Sequence, residues 1–181
     1  MHFNKLKKYY FINKLNLEHL KKLNKDVSLI YRNYSLKIDK NLIIKIRDIC
    51  KKKRIKFFIS NNYKLALNLG LDGVYLPSFN KSFLHNLGCK KKNFLILGSA
   101  HNLKEIRQKE KQRVDIIFIA SLFKRKKSFL GFNKFNILSK KTKTRVVALG
   151  GIKKNNLKKL SLLNLYGFSG ISFFEGKKKG P

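Results

Sequence analysis

Short apolar runs alternate along this chain with segments whose apolar residues recur at helical spacing. Lys8 to Ile12 (KYYFI), Val27 to Arg32 (VSLIYR) and Lys56 to Ser60 (KFFIS) read as strands one to three. Between them, Leu15 to Leu23 reads as a helix with Leu17, Leu20 and Leu23 on one face. Leu42 to Cys50 reads as a second, with Ile43, Ile44, Ile46 and Ile49 at helical spacing. Asn62 to Gly70 is a short helix stopped by glycine. Gly73 to Pro77 (GVYLP) is strand four, and Lys81 to Gly88 leaves room for about two helical turns. The rhythm then continues. Phe94 to Ala100 is strand five, Leu103 to Lys111 a polar helix, and Asp115 to Phe123 strand six. A basic loop (KRKKS) and a helix from about Asn133 to Lys140 come next. Arg145 to Ile152 is strand seven, Asn155 to Leu163 its helix, and Gly170 to Phe174 strand eight. The tail EGKKKGP is too short for a full eighth helix and is expected to fray.

Eight strands with seven helical slots between them are the pattern of parallel βαβ units. Runs such as DIIFIA and RVVAL stay apolar without alternation, which suits a sheet buried on both faces. The expected fold is α/β: one domain over residues 1–181, with a compact parallel (β/α)8 TIM-type barrel over about 8–175. Such barrels typically run to about 250 residues, so helices here must be short or missing. An open doubly wound sheet is the alternative.

Charge complicates this picture without overturning it. The chain has 43 Lys and Arg against 9 Asp and Glu, a net charge of +34. That suggests a polyanion partner. Yet the lysines are spread along the chain, and no RGG run, RNA-recognition aromatic motif or zinc spacing accompanies them. Nucleic acid is therefore expected to bind only non-specifically, and the alternative of a dedicated nucleic-acid-binding protein ranks last. Cys50 and Cys89 form no CxxC pair. The N-terminal stretch holds no apolar run of signal-peptide length, and no run is long enough to cross a bilayer. A cytoplasmic protein without a membrane partner is the expectation.

In a barrel of this kind, chemistry sits in the loops after each strand. Gly150 and Gly151 follow strand seven, where glycine lets backbone approach a ligand and N–H groups face an oxyanion. Loops seven and eight are the usual phosphate site. Strand five ends in Ser99-Ala100-His101. His101 either faces the mouth, where it binds an anion or moves a proton, or is a helix N-terminal residue in solvent. After strand six, one of Lys124, Arg125, Lys126 and Lys127 could neutralise a phosphate, and Arg32 puts a cation at the end of strand two. Carboxylates are scarce. Asp72 and Glu175 flank strands without metal-ligand spacing, and there is no Walker loop or Ser-His-Asp order.

The ordered set ISNNYKLALNLGLDGVYLP, GSAHNLKEI, DIIFIASLF, VVALGGI and GFSGISFF resembles the thiamine phosphate synthases over about residues 8 to 175. The thiazole tautomerases (TenI proteins) share the same landmarks. The resemblance implies a transferase of thiamine biosynthesis. Such an enzyme condenses hydroxymethylpyrimidine diphosphate with thiazole phosphate to give thiamine phosphate and diphosphate. It also implies roles for particular residues. Gly150, Gly151, Phe174 and Glu175 would hold the thiazole phosphate. Ser99 would face the pyrimidine or diphosphate, Arg32 the diphosphate, and Lys126 or Lys127 would assist. His101 stands where the tautomerases place their histidine. The chain departs from the family at strand two, where Gln and Lys are replaced by Ile30 and Tyr34. It departs again at the two Asp that bind Mg²⁺, which are here Asn61 and Asn80. Neutral carbonyl oxygens there predict weaker Mg²⁺ binding. Three expectations stand in order: a divergent synthase, a TenI-like tautomerase or weakly active thiazole-phosphate binder, and a basic nucleic-acid-binding protein.

Overall fold

Inward and outward residues alternate along eight parallel strands that close on themselves in sequence order, β1 to β8. The computed structural model describes residues 6–14, 16–34, 38–83 and 92–175. The strands are β1 Lys7–Ile12, β2 Val27–Tyr31, β3 Phe57–Ser60, β4 Gly73–Leu76, β5 Leu95–Ala100, β6 Ile116–Ala120, β7 Arg145–Leu149 and β8 Gly167–Ser169. Around them lie α1 Leu17–Lys22, α2 Lys40–Lys52, α3 Tyr63–Asn68, α4 Leu103–Lys111, α5 Gly131–Lys140, a 3-10 helix Lys154–Leu162, and α6 Ile171–Glu175. Gly167 of β8 pairs with Lys7 of β1 on one side and Val147 of β7 on the other, so no sheet edge remains. This is the expected barrel.

The strands are apolar on both faces because each face packs. Tyr9, Phe11, Ile30, Phe58, Tyr75, Leu97, Phe118 and Val147 fill the barrel. Tyr10, Leu29, Phe57, Val74, Ile117 and Ile119 face outward, against Ile43 and Ile46 of α2, Ile106 of α4 and Phe135 of α5. Rings dominate the interior: Tyr9 meets Phe118 edge-on at 4.9 Å, and Phe11 meets Tyr75 at 5.1 Å. Scarce carboxylates stitch backbone. Asp39 caps α2 by accepting from Leu42 N, Asp72 accepts from Phe57 N at 2.9 Å, and Asp115 from Ile96 N at 2.7 Å. Burial, with Asp72 nearby, pushes the Cys50 thiol up to about 12.

Several boundaries differ from the sequence expectation. Strand six stops at Ala120, because Leu122 N bonds back to Leu149 O and carries the chain across the top of β7. Strand seven stops at Leu149, since Gly150 and Gly151 take φ of 105° and 75°, outside the β region. Strand eight lies over Gly167–Ser169, not Gly170 to Phe174. The ISFFE segment is instead α6, with Phe173 packed on Phe168 and Phe174 on Tyr10. Closure demands the shift: a Cβ on residue 167 would lie 2.3 Å from Lys7 O, so only glycine fits at the seam. Leu17 is exposed, and α1 buries Leu20 while Leu23 follows it. The helix expected over Lys81 to Gly88 is not seen in Lys81 to Phe83; the rest of it, Cys89 and the tail from Gly176 lie outside the described residues.

Candidate functional site

The C-terminal ends of β7 and β8 open into a cavity of about 840 Å³. Its wall is basic: Arg32, Lys124, Lys126, Lys153 and Lys159 line it, and no carboxylate of the described residues does. Gly150 and Gly151 form its inner rim for a reason the sequence did not reveal. A Cβ on Gly150 would lie 2.3 Å from Ser121 Oγ, and one on Gly151 would lie 2.5 Å from Lys124 N. The two glycines thus let the β6 loop lie flat on the β7 loop, where Phe123 N donates to Gly150 O at 2.8 Å. Asn156 braces the turn from the other side. Its Nδ2 donates to Gly151 O, and its Oδ1 accepts from Lys153 N, both at 2.9 Å. Ser169, at the end of β8, is fully buried on this wall, and its hydroxyl has no partner. Leaving such a hydroxyl unpaired costs about 1–3 kcal/mol, and a ligand oxygen at the wall would recover that.

The residues picked out from the sequence divide between this cavity and its surroundings. Gly150, Gly151, Arg32 and Lys126 come together at the cavity. Arg32 reaches it with its guanidinium over the Phe11 ring, 5.4 Å from the centroid. Lys127 and His101 line a separate cavity of about 530 Å³, with Lys126 common to both. His101 is tied into the start of α4: its Nδ1 lies 2.9 Å from Glu105 Oε2, which also accepts from His101 N at 2.8 Å. Ser99 is buried on β5 beside Tyr75. Burial pushes the Tyr75 phenol above its ordinary range, an effect opposed by its hydrogen bond with Ser99. Phe174 is a packing residue of α6, 5.0 Å from the Tyr10 ring, and does not line the cavity. Ser169 and Gly170 take the place given to Phe174 and Glu175, because β8 ends there. The Glu175 side chain lies outside the described residues.

Across the mouth, Asn61 and Asn80 meet. Asn80 Nδ2 donates to Asn61 Oδ1 at 2.6 Å. Asn80 Oδ1 accepts from Ser82 N and from Gln112 Nε2, both at 3.0 Å. Behind them lies Lys109 of α4, a fully buried lysine whose ammonium donates to Pro77 O, Asn80 O and Gln112 Oε1. Tyr34 and Phe79, both exposed, stand edge to face at 5.3 Å beside this group.

Residues 21–174 match the family described as thiamine monophosphate synthase. The chain belongs to this family. A relative from Aquifex aeolicus is 32% identical over 135 residues, 71% of each chain. The thiamine-phosphate synthase of Pelagibacter ubique is 32% identical over 144 residues, 76% of this chain and 69% of its own. In fold, the chain is similar to a thiamine phosphate pyrophosphorylase from Pyrococcus furiosus. Their TM-score is 0.75 at 22% identity, over 93% of this chain and 87% of the other.

Thiamine phosphate synthases generally use Mg²⁺, so the Asn61–Asn80 position must be tested for that ion. Mg²⁺ wants oxygen ligands in octahedral array, carboxylates among them. Here both side-chain oxygens already face N–H donors, neither carries charge, and a buried ammonium lies behind. No cluster of three acidic, His or Cys side chains exists among the described residues. These residues do not fit Mg²⁺.

Proposed function

We propose that this chain holds thiazole phosphate in the β7–β8 cavity and joins it to hydroxymethylpyrimidine diphosphate, giving thiamine phosphate and diphosphate. In that step the thiazole nitrogen forms a bond to the pyrimidine methylene carbon. The carbon–oxygen bond to diphosphate breaks, and its electron pair leaves on the diphosphate oxygen. The observation that carries the reading is the buried, unpartnered Ser169 hydroxyl on a wall of cations, a group that lacks only an anionic oxygen to donate to. Arg32 and Lys126, which line the cavity, would stabilise the charge that develops on the departing diphosphate. The exposed Tyr34–Phe79 pair offers ring faces and edges to a planar heterocycle.

One observation favours a second reading, a thiazole-phosphate binder of the TenI type. The Asn61–Asn80 pair departs from what the diphosphate half of the reaction uses, whereas the basic β7–β8 cavity that would take the thiazole phosphate keeps its cations. Under that reading the thiazole extends past Lys126, which both cavities share, to His101, and His101→Ala abolishes its tautomerisation.

Binding is measured by calorimetric titration with thiazole phosphate. Wild type is expected to bind, and Ser169→Ala to bind about tenfold more weakly, the loss of one hydrogen bond to a charged group. Its denaturation midpoint should not fall, because the hydroxyl has no partner in the free protein. Equal affinity in the variant, or no binding by wild type, would remove the basis of the proposal.

A further inference from the structure

We propose that Lys109 is a positioning residue whose buried ammonium fixes the ends of β3 and β4 from inside the protein, closing the Asn61–Asn80 position to divalent cations. The inference goes beyond the synthase reading and concerns the free protein, so its test uses no substrate.

The hydrogen bonds run in one direction. An ammonium can only donate, and the three donors of Lys109 go to Pro77 O at 2.7 Å, Asn80 O at 2.8 Å and Gln112 Oε1 at 2.9 Å. Gln112 must therefore turn its oxygen to Lys109 and its amide N–H2 towards Asn80, where Nε2 reaches Oδ1 at 3.0 Å. That in turn commits the Asn80 amide: its oxygen accepts from Gln112 and Ser82 N, and its nitrogen donates to Asn61 Oδ1. Reversing any one amide would set donor against donor or acceptor against acceptor. A divalent cation would need the same two oxygens, so it could enter only by breaking this relay, and it would meet a fixed positive charge behind it.

The neighbouring strand is fitted to this arrangement. A Cβ on Gly98 of β5 would lie 2.9 Å from Lys109 Cδ, so the missing side chain gives the lysine stem its path through the wall. The loop it holds, Pro77 to Ser82, carries Phe79, which packs on Tyr34. Lys109 thereby also sets the aromatic pair at the barrel mouth.

The test is a Mn²⁺ titration of the full chain, read by the electron paramagnetic resonance signal of free Mn²⁺. Wild type is expected to leave the signal undiminished where Asn61→Asp/Asn80→Asp removes about one ion per chain, an affinity difference of at least about tenfold. Adding Lys109→Met to that double variant should tighten Mn²⁺ binding further, since the opposing charge is gone; a lysine serving packing alone would give no such gain. Stoichiometric Mn²⁺ uptake by wild type, lost in Asn61→Ala, would overturn the proposal. So would a folded triple variant that binds Mn²⁺ no better than the double. If the aspartate variants fail to fold, the wild-type titration still decides.

Discussion

Lys109→Met lowers the free energy of unfolding by about 2–3 kcal/mol at pH 7, measured by urea denaturation. The ammonium serves three acceptors that solvent does not reach through it, and methionine leaves Pro77 O, Asn80 O and Gln112 Oε1 without that donor. Each orphaned acceptor is costly, while removing a buried charge gives part of that back. The pH dependence separates the two effects. Burial, opposed by Glu105, lowers the Lys109 pKa from 10.5 to about 8. Between those values the unfolded chain keeps a proton that the folded chain has released, so this group makes wild-type stability rise with pH across the window from about 8 to 10.5. The variant lacks this contribution. The stability gap between wild type and Lys109→Met should therefore widen from pH 8 to pH 10, and a gap that narrows would contradict the buried placement.

Gly151→Ala is expected to weaken thiazole-phosphate binding by at least about tenfold, and Gly70→Ala to leave it unchanged. Both glycines have positive φ, 75° and 60°, so both substitutions carry backbone strain of about 1–2 kcal/mol. They differ in what the new methyl meets. At Gly70 there is nothing within 4 Å, whereas at Gly151 the methyl would strike Lys124 N at 2.5 Å and Phe123 C at 2.9 Å. Those are backbone atoms of the β6 loop, which carries Lys124 and Lys126 to the cavity. The loop must move, and the cations move with it. Calorimetry on both variants, each checked for folding by circular dichroism, isolates that displacement from strain alone. Equal affinities would mean that the loop does not set the cavity.

The barrel was legible because its strands are buried on both faces, which writes a largely apolar run into the sequence for each of β1 to β7. Where strands end was not legible, because apolarity continues past the point where pairing stops. Leu122 and Phe123 extend the β6 run but sit in a turn, and Ile171 to Phe174 look more like a strand than Gly167 to Ser169 does. The latter slip hid Ser169, whose small inward side chain marks the true end of β8. Gly150 and Gly151 line the cavity, and the structure adds a duty the sequence did not show, the seating of one loop on another. His101 was visible as a residue, but its hold by Glu105 was not. Lys109 was hidden among 43 basic residues on a helix read as polar. One signal pointed to it: Gly98, in the middle of a buried strand, where glycine marks a close approach by something else.

The measurement that bears most directly on the proposed function is product formation. Purified protein is mixed with hydroxymethylpyrimidine diphosphate and thiazole phosphate, once with Mg²⁺ and once with chelator, and thiamine phosphate is read by oxidation to its fluorescent thiochrome form. Product above the no-protein control in both mixtures is the predicted result. No product in either, from protein that still binds thiazole phosphate, would contradict the synthase reading and leave a thiazole-phosphate binder in its place.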